Sequence, residues 1–304
     1  FANALILTGP TACGKTALAL ELAERIGGEI VNYDSVQIYR GFDIGSAKPS
    51  AETGRAVPHH LFHIVDAGDD DFNAADYARL AREVCVGIDA RGKRPILVGG
   101  TFFYLRALLS GLPEMPGRDE PLRARIRAIA ARPHGQERLH RWLSKIDARS
   151  GSRIAPADRH RVERALEVWI TSGQPISSWE RDAGDALPSV KLALDMDRKQ
   201  LIAMLDARVE AMFRAGLIEE TRSLLERYPA AARPFGTIGY KEAAAVVRGD
   251  LSEADAIAET RRRTRAYAKR QRTWLRAERN VHWLDASDRD KAFAAALRTI
   301  EVEP

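Results

Sequence analysis

The chain has 304 residues and a mass of 33.7 kDa, with 45% apolar residues and a formal net charge of +5. That apolar share excludes an intrinsically disordered chain, and no apolar run approaches the roughly 18 residues of a membrane-spanning helix. The two cysteines, Cys13 and Cys85, stand in no metal or redox spacing and no secretory signal is visible, so the expectation is a cytoplasmic protein with reduced thiols.

In chain order, Ala4-Leu5-Ile6-Leu7 reads as a buried strand, and Ala17 to Ala23 as an amphipathic helix. Between them lies Gly9-Pro10-Thr11-Ala12-Cys13-Gly14-Lys15-Thr16, which satisfies G-x-x-x-x-G-K-[ST] with the strand and helix that this pattern requires. Glycines let the backbone curl so that N–H groups face a phosphate chain, and the helix N-terminus adds partial positive charge. Lys15 supplies a full charge to outer phosphate oxygens, and Thr16 a hydroxyl for Mg²⁺. The loop therefore binds a polyphosphate.

Glu29 to Tyr33 reads as a second strand, delivering Asp34-Ser35-Val36-Gln37 to the strand's carboxyl end, where α/β sheets bind ligands. Gly41 to Pro58 is loop-like, and His59, His60 and His63 read as structural loop histidines, because no carboxylate or thiol stands at metal-ligand spacing. Ala74 to Asp89 has helical periodicity, Pro95 to Val98 reads as a parallel strand, and Phe102 to Leu109 as the next helix. A nucleoside triphosphatase usually places an Asp after such a strand to hold Mg²⁺, whereas here Gly99-Gly100-Thr101 follows. That leaves room for a diphosphate that is not part of a nucleotide.

Residues 118–183 read as wholly helical, with helices at 122–132, 136–145 and 160–172, and carry 14 Lys and Arg against 9 Asp and Glu. This segment is expected to be an insertion between the two halves of a catalytic core, 1–117 and 184–304. Strand character returns at Val190 to Leu194, followed by helices near 198–215, 217–227, 239–248 and 253–279, a strand at Val281 to Leu284 and a closing helix to Ile300. Arg261 to Arg279 holds nine basic residues and one acid. Two basic segments beside a neutral-to-acidic core favour a nucleic acid as partner. The fold expected is α/β: a parallel sheet flanked by helices, with an all-helical inserted domain.

Eight stretches together carry a family resemblance: Gly9–Thr16, Asp34–Tyr39, Asp43–Pro49, Pro58–His60, Val98–Thr101, Arg161–Glu167, Ile238–Lys241 and Lys269–Arg276. In this order the chain resembles the tRNA dimethylallyltransferases (tRNA isopentenyltransferases), in their bacterial form without a zinc-finger extension. The resemblance implies a P-loop NTPase-like core and transfer of a dimethylallyl group from dimethylallyl diphosphate, with Mg²⁺. The acceptor it implies is N6 of the adenine immediately 3′ of the anticodon, in tRNAs reading codons that begin with U. It implies Asp34 as the base that orients the amine and takes its proton, with Thr101 at the mouth of the reaction channel. Gly9 through Thr16 and Arg208 would hold the diphosphate. Contacts to tRNA, at the anticodon stem-loop, would come from Asp34 through Gln37, Thr101, Arg123, His160, Arg161, Val162, Glu163, Arg164, and from Gly236, Thr237, Ile238, Gly239, Tyr240 and Lys241. The family also implies a monomer. Rival readings are an adenylate isopentenyltransferase acting on free nucleotide, a phosphate-loop small-molecule kinase, and a non-catalytic RNA-binding module.

Overall fold

A computed structural model describes residues 3–49, 57–69, 71–179 and 188–302. By its internal contacts the chain forms two units, Phe1–Gly111 with Asp185–Pro304, and Leu112–Gly184.

The larger unit is built on a six-stranded parallel sheet. Strand β1 (Ala4–Thr8) leads through the glycine loop to α1 (Lys15–Ile26), then β2 (Gly28–Asn32), the two-residue β3 (His59–His60), α2 (Ala74–Ala90), β4 (Arg94–Val98) and α3 (Phe102–Ser110). After the second unit come β5 (Ser189–Asp195) and β6 (Val281–Asp285), with a run of helices between them; the sheet order is β3-β2-β4-β1-β5-β6. All five pairings are parallel, with Ile6 opposite Leu97 and Lys191. Every residue of β1 and β2 is buried, as a strand covered by helices on both faces requires, whereas the edge strand β6 buries only Leu284. The main core gathers Leu5, Leu7, Leu18, Leu22, Ile96, Leu192 and Leu194 from strands and α1. Placing β1 and β4 side by side sets the glycine loop and Gly99-Gly100-Thr101 at the same edge of the sheet.

The expected elements are present with shifted ends. His59 and His60, read as loop, form a short strand against Ile30 and Val31, and His60 Nε2 lies 2.6 Å from the Glu29 carboxylate. Part of the loop expected over Gly41 to Pro58 lies outside the described residues. The later helices are α8 (Arg198–Arg214), α9 (Leu217–Arg227), α10 (Tyr240–Val247), α11 (Glu253–Leu275) and α12 (Arg289–Val302). Helix α11 stops at Leu275, four residues before the limit of 279 expected from its basic run.

The smaller unit holds α4 (Glu120–Ala130), α5 (Gly135–Ile146), α6 (Ala148–Arg153) and α7 (Arg159–Ser172) around Ile126, Leu139, Leu143, Val162 and Leu166. Asp119, Asp147 and Asp158 start α4, α6 and α7 by accepting backbone N–H bonds. The short α6 was not expected, because a six-residue helix is too brief to show a period. The unit begins at Leu112 and not at 118. Arg164 ties the end of that earlier stretch to α7, its guanidinium donating to the carbonyls of Pro116 (2.8 Å) and Gly117 (3.4 Å). The expected end at 183 lies outside the described residues.

Candidate active site

The glycine loop curls because its positions tolerate what other residues do not. Gly9 has φ of 146°, and a Cβ there would stand 2.7 Å from both Cys13 Sγ and the Leu194 carbonyl. Gly14 and Ala12 also adopt positive φ, 89° and 66°. Lys15 turns back over the loop, Nζ donating to the carbonyls of Gly9 (3.0 Å) and Pro10 (2.8 Å). Burial depresses its pKa, as does Arg208, while Cys13 and Asp34 work the other way. Arg208 is likewise held below its usual value by burial, against the pull of Asp34. Two half-buried cations beside one carboxylate make a place where a multiply charged anion is favoured.

A cavity of ≈ 390 Å³ opens onto this loop, lined by Lys15, Thr16, Gln37, Phe62, Val98 and Met204 among others. A second, of ≈ 290 Å³, is lined by Ser35, Thr101, Met212, Ile238, Thr260 and others. Both are lined by Thr11, Asp34, Arg208 and Tyr267. Asp34 therefore stands where the phosphate-side cavity adjoins the second one.

The sequence around Asp34 explains its pose. Asn32, fully buried at the end of β2, accepts the Asp34 N–H (2.9 Å) and donates to the carbonyls of Asp34 (3.3 Å) and Leu61 (3.0 Å). Asp34 Oδ1 accepts the N–H groups of Val36 (2.8 Å) and Gln37 (3.3 Å), leaving Oδ2 without a hydrogen bond among the described residues. The carboxylate both makes its own turn and keeps one oxygen for chemistry. Thr101 Oγ1 accepts the Ser35 N–H (3.0 Å) and donates to Ser35 Oγ (3.1 Å), joining the end of β4 to the Asp34 turn.

Further residues support this turn from a distance in sequence. Gln37 Nε2 donates to the Ser46 (3.0 Å) and Ala47 (3.3 Å) carbonyls. The Glu220 carboxylate, from α9, accepts the N–H groups of Asp43 (3.2 Å) and Ile44 (2.9 Å) and the Tyr240 hydroxyl (2.6 Å). Asn32, Glu220 and Gln271 were missed by sequence reasoning, since an isolated polar residue in a strand or helix carries no pattern. The available hints were an Asn at the end of an apolar strand just before the turn, and the place of Gln271 within the Lys269–Arg276 stretch.

For the expected tRNA contacts the structure separates exposed from committed residues. Gly236, Thr237 and Ile238 line the second cavity. Tyr240 is fully buried and bonded to Glu220, and Val162 lies in the core of the helical unit, so neither offers a side chain to RNA. Gly239 is also turned to structure, its N–H donating to Glu242 (2.8 Å) as α10 begins. His160 and Arg161 are exposed on α7. Arg123 and Arg164 are instead gathered on Glu167, at 2.8 Å and 2.6 Å, and Glu163 pairs with Arg127 at 3.1 Å.

Glu167 has no exposed side chain; burial works to raise its pKa, but hydrogen bonds from Arg123, the Asp119 N–H and Arg164 outweigh it and hold the carboxyl at about 2. Its stabilising contribution is complete above the usual carboxyl value of 4.5 and is lost as pH falls toward 2. Glu167→Ala is expected to destabilise the helical unit by about 2–3 kcal/mol, since it strands two arginines. Urea titration of the full chain, followed at pH 7 and pH 3, checks this; a variant as stable as wild type at pH 7 would count against it.

The basic run on α11 is likewise partly spent within the fold. Arg265 forms a two-point pair with Asp206, Arg272 reaches Asp195 at 2.8 Å, and Arg261 and Arg263 pair with Glu210 and Glu242. The basic run that favours a nucleic acid as partner therefore also fastens α11 to its neighbours through these arginines. Lys269, Arg276 and Arg279 are exposed and have no ion pair among the described residues.

A family model described as IPP transferase matches residues 37–278. A protein named tRNA dimethylallyltransferase from Geobacter metallireducens is 46% identical over 287 residues, covering 92% of each chain. One of the same name from Anaeromyxobacter sp. is 47% identical over 290 residues, covering 93% of this chain and 96% of that one. Among solved structures, a tRNA delta(2)-isopentenylpyrophosphate transferase from Staphylococcus epidermidis superposes with a TM-score of 0.72 at 30% identity over 100% of both chains. A eukaryotic dimethylallyltransferase, solved acting on tRNA, gives 0.81 at 26% identity, over 100% of this chain and 81% of that one.

Proposed function

The chain belongs to the IPP transferase family, and from that premise we propose how this site carries out dimethylallyl transfer to tRNA. The protein is a transferase of the tRNA dimethylallyltransferase type. The observation that carries the reading is Asp34, set with Arg208 at the junction of a phosphate-loop cavity and a second cavity lined by Ser35 and Thr101.

The donor is dimethylallyl diphosphate, its diphosphate on the N–H groups of Ala12, Gly14, Lys15 and Thr16, which line the first cavity, and on the Lys15 and Arg208 side chains. The acceptor is N6 of the adenine next to the anticodon, in tRNAs reading codons that begin with U. That base must leave its stack to reach Asp34, at a cost of roughly a few kcal/mol. The allylic C–O bond breaks, its electron pair leaving with the pyrophosphate, and the N6 lone pair forms the C–N bond. Asp34 Oδ2 orients the amine and accepts the proton it loses. Lys15 and Arg208 stabilise the charge that grows on the leaving oxygens.

The donor set around the loop suits Mg²⁺. Thr16 offers an exposed hydroxyl, Asp34 lines the same cavity, and no cluster of three or more His, Cys, Asp or Glu exists among the described residues. Such a sparse site fits an ion that keeps several waters and takes its other ligands from a substrate's phosphates. Thr16 would hold it, and the ion would supply charge neutralisation to the departing pyrophosphate. We place the enzyme in the cytoplasm with its tRNA substrate, as a monomer; among the described residues no helix is long and apolar enough to cross a membrane.

Incubation with labelled donor and either unmodified tRNA or AMP tests the reading. Label should enter tRNA and not AMP; the reverse would favour the free-nucleotide enzyme, and transfer of the γ-phosphate of ATP to a small acceptor a kinase. Affinity for tRNA should also fall steeply with salt, by a log–log slope of about −0.7 to −0.9 per neutralised phosphate. Lys269→Glu with Arg276→Glu should flatten that slope and leave donor KM unchanged. An unaltered slope would mean that this end of α11 is a solvated face only.

A further inference from the structure

We infer that Gln271, on α11, is a positioning residue for the transfer, clamping the phosphate loop to the segment that carries Thr101; the inference rests on the prenyl-transfer reading above. Gln271 is 3% exposed on a helix whose neighbouring residues are mostly charged. Both ends of its amide are used, and on different strands' loops. Oε1 accepts the N–H of Thr11 (2.9 Å), in the loop after β1, and Nε2 donates to the carbonyl of Gly100 (3.1 Å), in the loop after β4. One helical turn earlier, the Tyr267 hydroxyl donates to the same Gly100 carbonyl (3.1 Å).

The chemistry follows from what these two loops hold. Thr11 lies in the donor loop, and its N–H, turned to Gln271, is withdrawn from the phosphate side. Gly100 precedes Thr101, whose hydroxyl fixes the Ser35 end of the Asp34 turn. The amide therefore sets the separation between the group that binds the leaving pyrophosphate and the group that holds the base for the attacking amine. In-line transfer needs that separation held closely, and a displacement of about 1 Å costs up to roughly 10²-fold in rate. A glutamine is suited to this because it offers one acceptor and one donor at a fixed spacing.

Gly100 supplies an independent handle. A Cβ at Gly100 would lie 2.5 Å from Gln271 Nε2, with every other neighbour at 3.8 Å or beyond. Gly100→Ala should therefore move the flexible amide and little else.

The test measures single-turnover transfer to unmodified tRNA at saturating donor, with donor KM, tRNA affinity and thermal midpoint in parallel. Gln271→Ala is expected to slow transfer on the order of tenfold, less than the full displacement effect because Tyr267 still holds Gly100, and to raise donor KM while tRNA affinity stays unchanged. Gly100→Ala should reproduce that pattern. Added to Gln271→Ala it should cost nothing further, since the clash it creates is gone. Should Gln271→Ala fail to fold, Gly100→Ala alone decides by the same pattern. A residue that merely packs α11 would lower the thermal midpoint and tRNA affinity together, with the rate at saturation intact; that result overturns the clamp, as does a wild-type rate in Gly100→Ala. A wild-type enzyme that transfers nothing to tRNA overturns the prenyl-transfer reading and the clamp with it, whereas active wild type with unaffected variants overturns the clamp alone.

Discussion

Asp34→Asn is expected to lower single-turnover transfer by on the order of 10²–10⁴ while donor and tRNA binding stay near wild type, the range for a lost general base. Asparagine is the informative substitution here. Its Oδ1 can still accept the N–H groups of Val36 and Gln37, so the turn survives, and only the proton-accepting oxygen is replaced by an amide. Alanine would remove the turn's cap and the base together, confusing a lost fold with lost chemistry. Rates measured with saturating tRNA separate the two. A loss below tenfold in Asp34→Asn, with the turn intact, removes Asp34 from the base role.

Lys15→Ala is expected to weaken donor binding and transfer together, each by about 10- to 100-fold, the span of one charge-assisted hydrogen bond of about 1.5–3 kcal/mol. The reason is that the ammonium faces the diphosphate before and during bond breaking. Burial, the largest influence, holds the Lys15 pKa below the usual lysine value, and Arg208 adds to that. The charged form of the free enzyme is therefore lost at a lower pH than an exposed lysine would show, and donor affinity should fall as pH rises through that value. A bound diphosphate pulls the pKa back up, so donor binding should take up protons in this range. Donor KM measured across alkaline pH checks this. Lys15→Ala should show no such trend, and a mutant that binds donor normally would contradict the assignment.

The smaller effects concern support and not chemistry. Glu167 holds Arg123 and Arg164 within the helical unit, and Asp206 and Asp195 hold Arg265 and Arg272 within the core unit. Reversing Arg265 or Arg272 would therefore report on folding, and the RNA footprint is better probed at Lys269 and Arg276.

The phosphate loop, the strand–helix alternation, the helical segment after it and the place of Asp34 at a strand end were all legible in the residues alone. Each of these is local: a fixed spacing of glycines and lysine, a period of two or 3.6, or a polar residue straight after an apolar run, all set within about ten residues. Which arginines of α11 are spent on ion pairs was not legible, because pairing depends on acids such as Asp195 and Asp206, far away in the chain. The tertiary structure also decided that Tyr240 faces inward to Glu220, and that Gln271 reaches Thr11, 260 residues earlier. Contacts across that separation leave no period in one sequence; they arise because a parallel sheet sets β1 beside β4 and brings their loops to one edge, where α11 meets both.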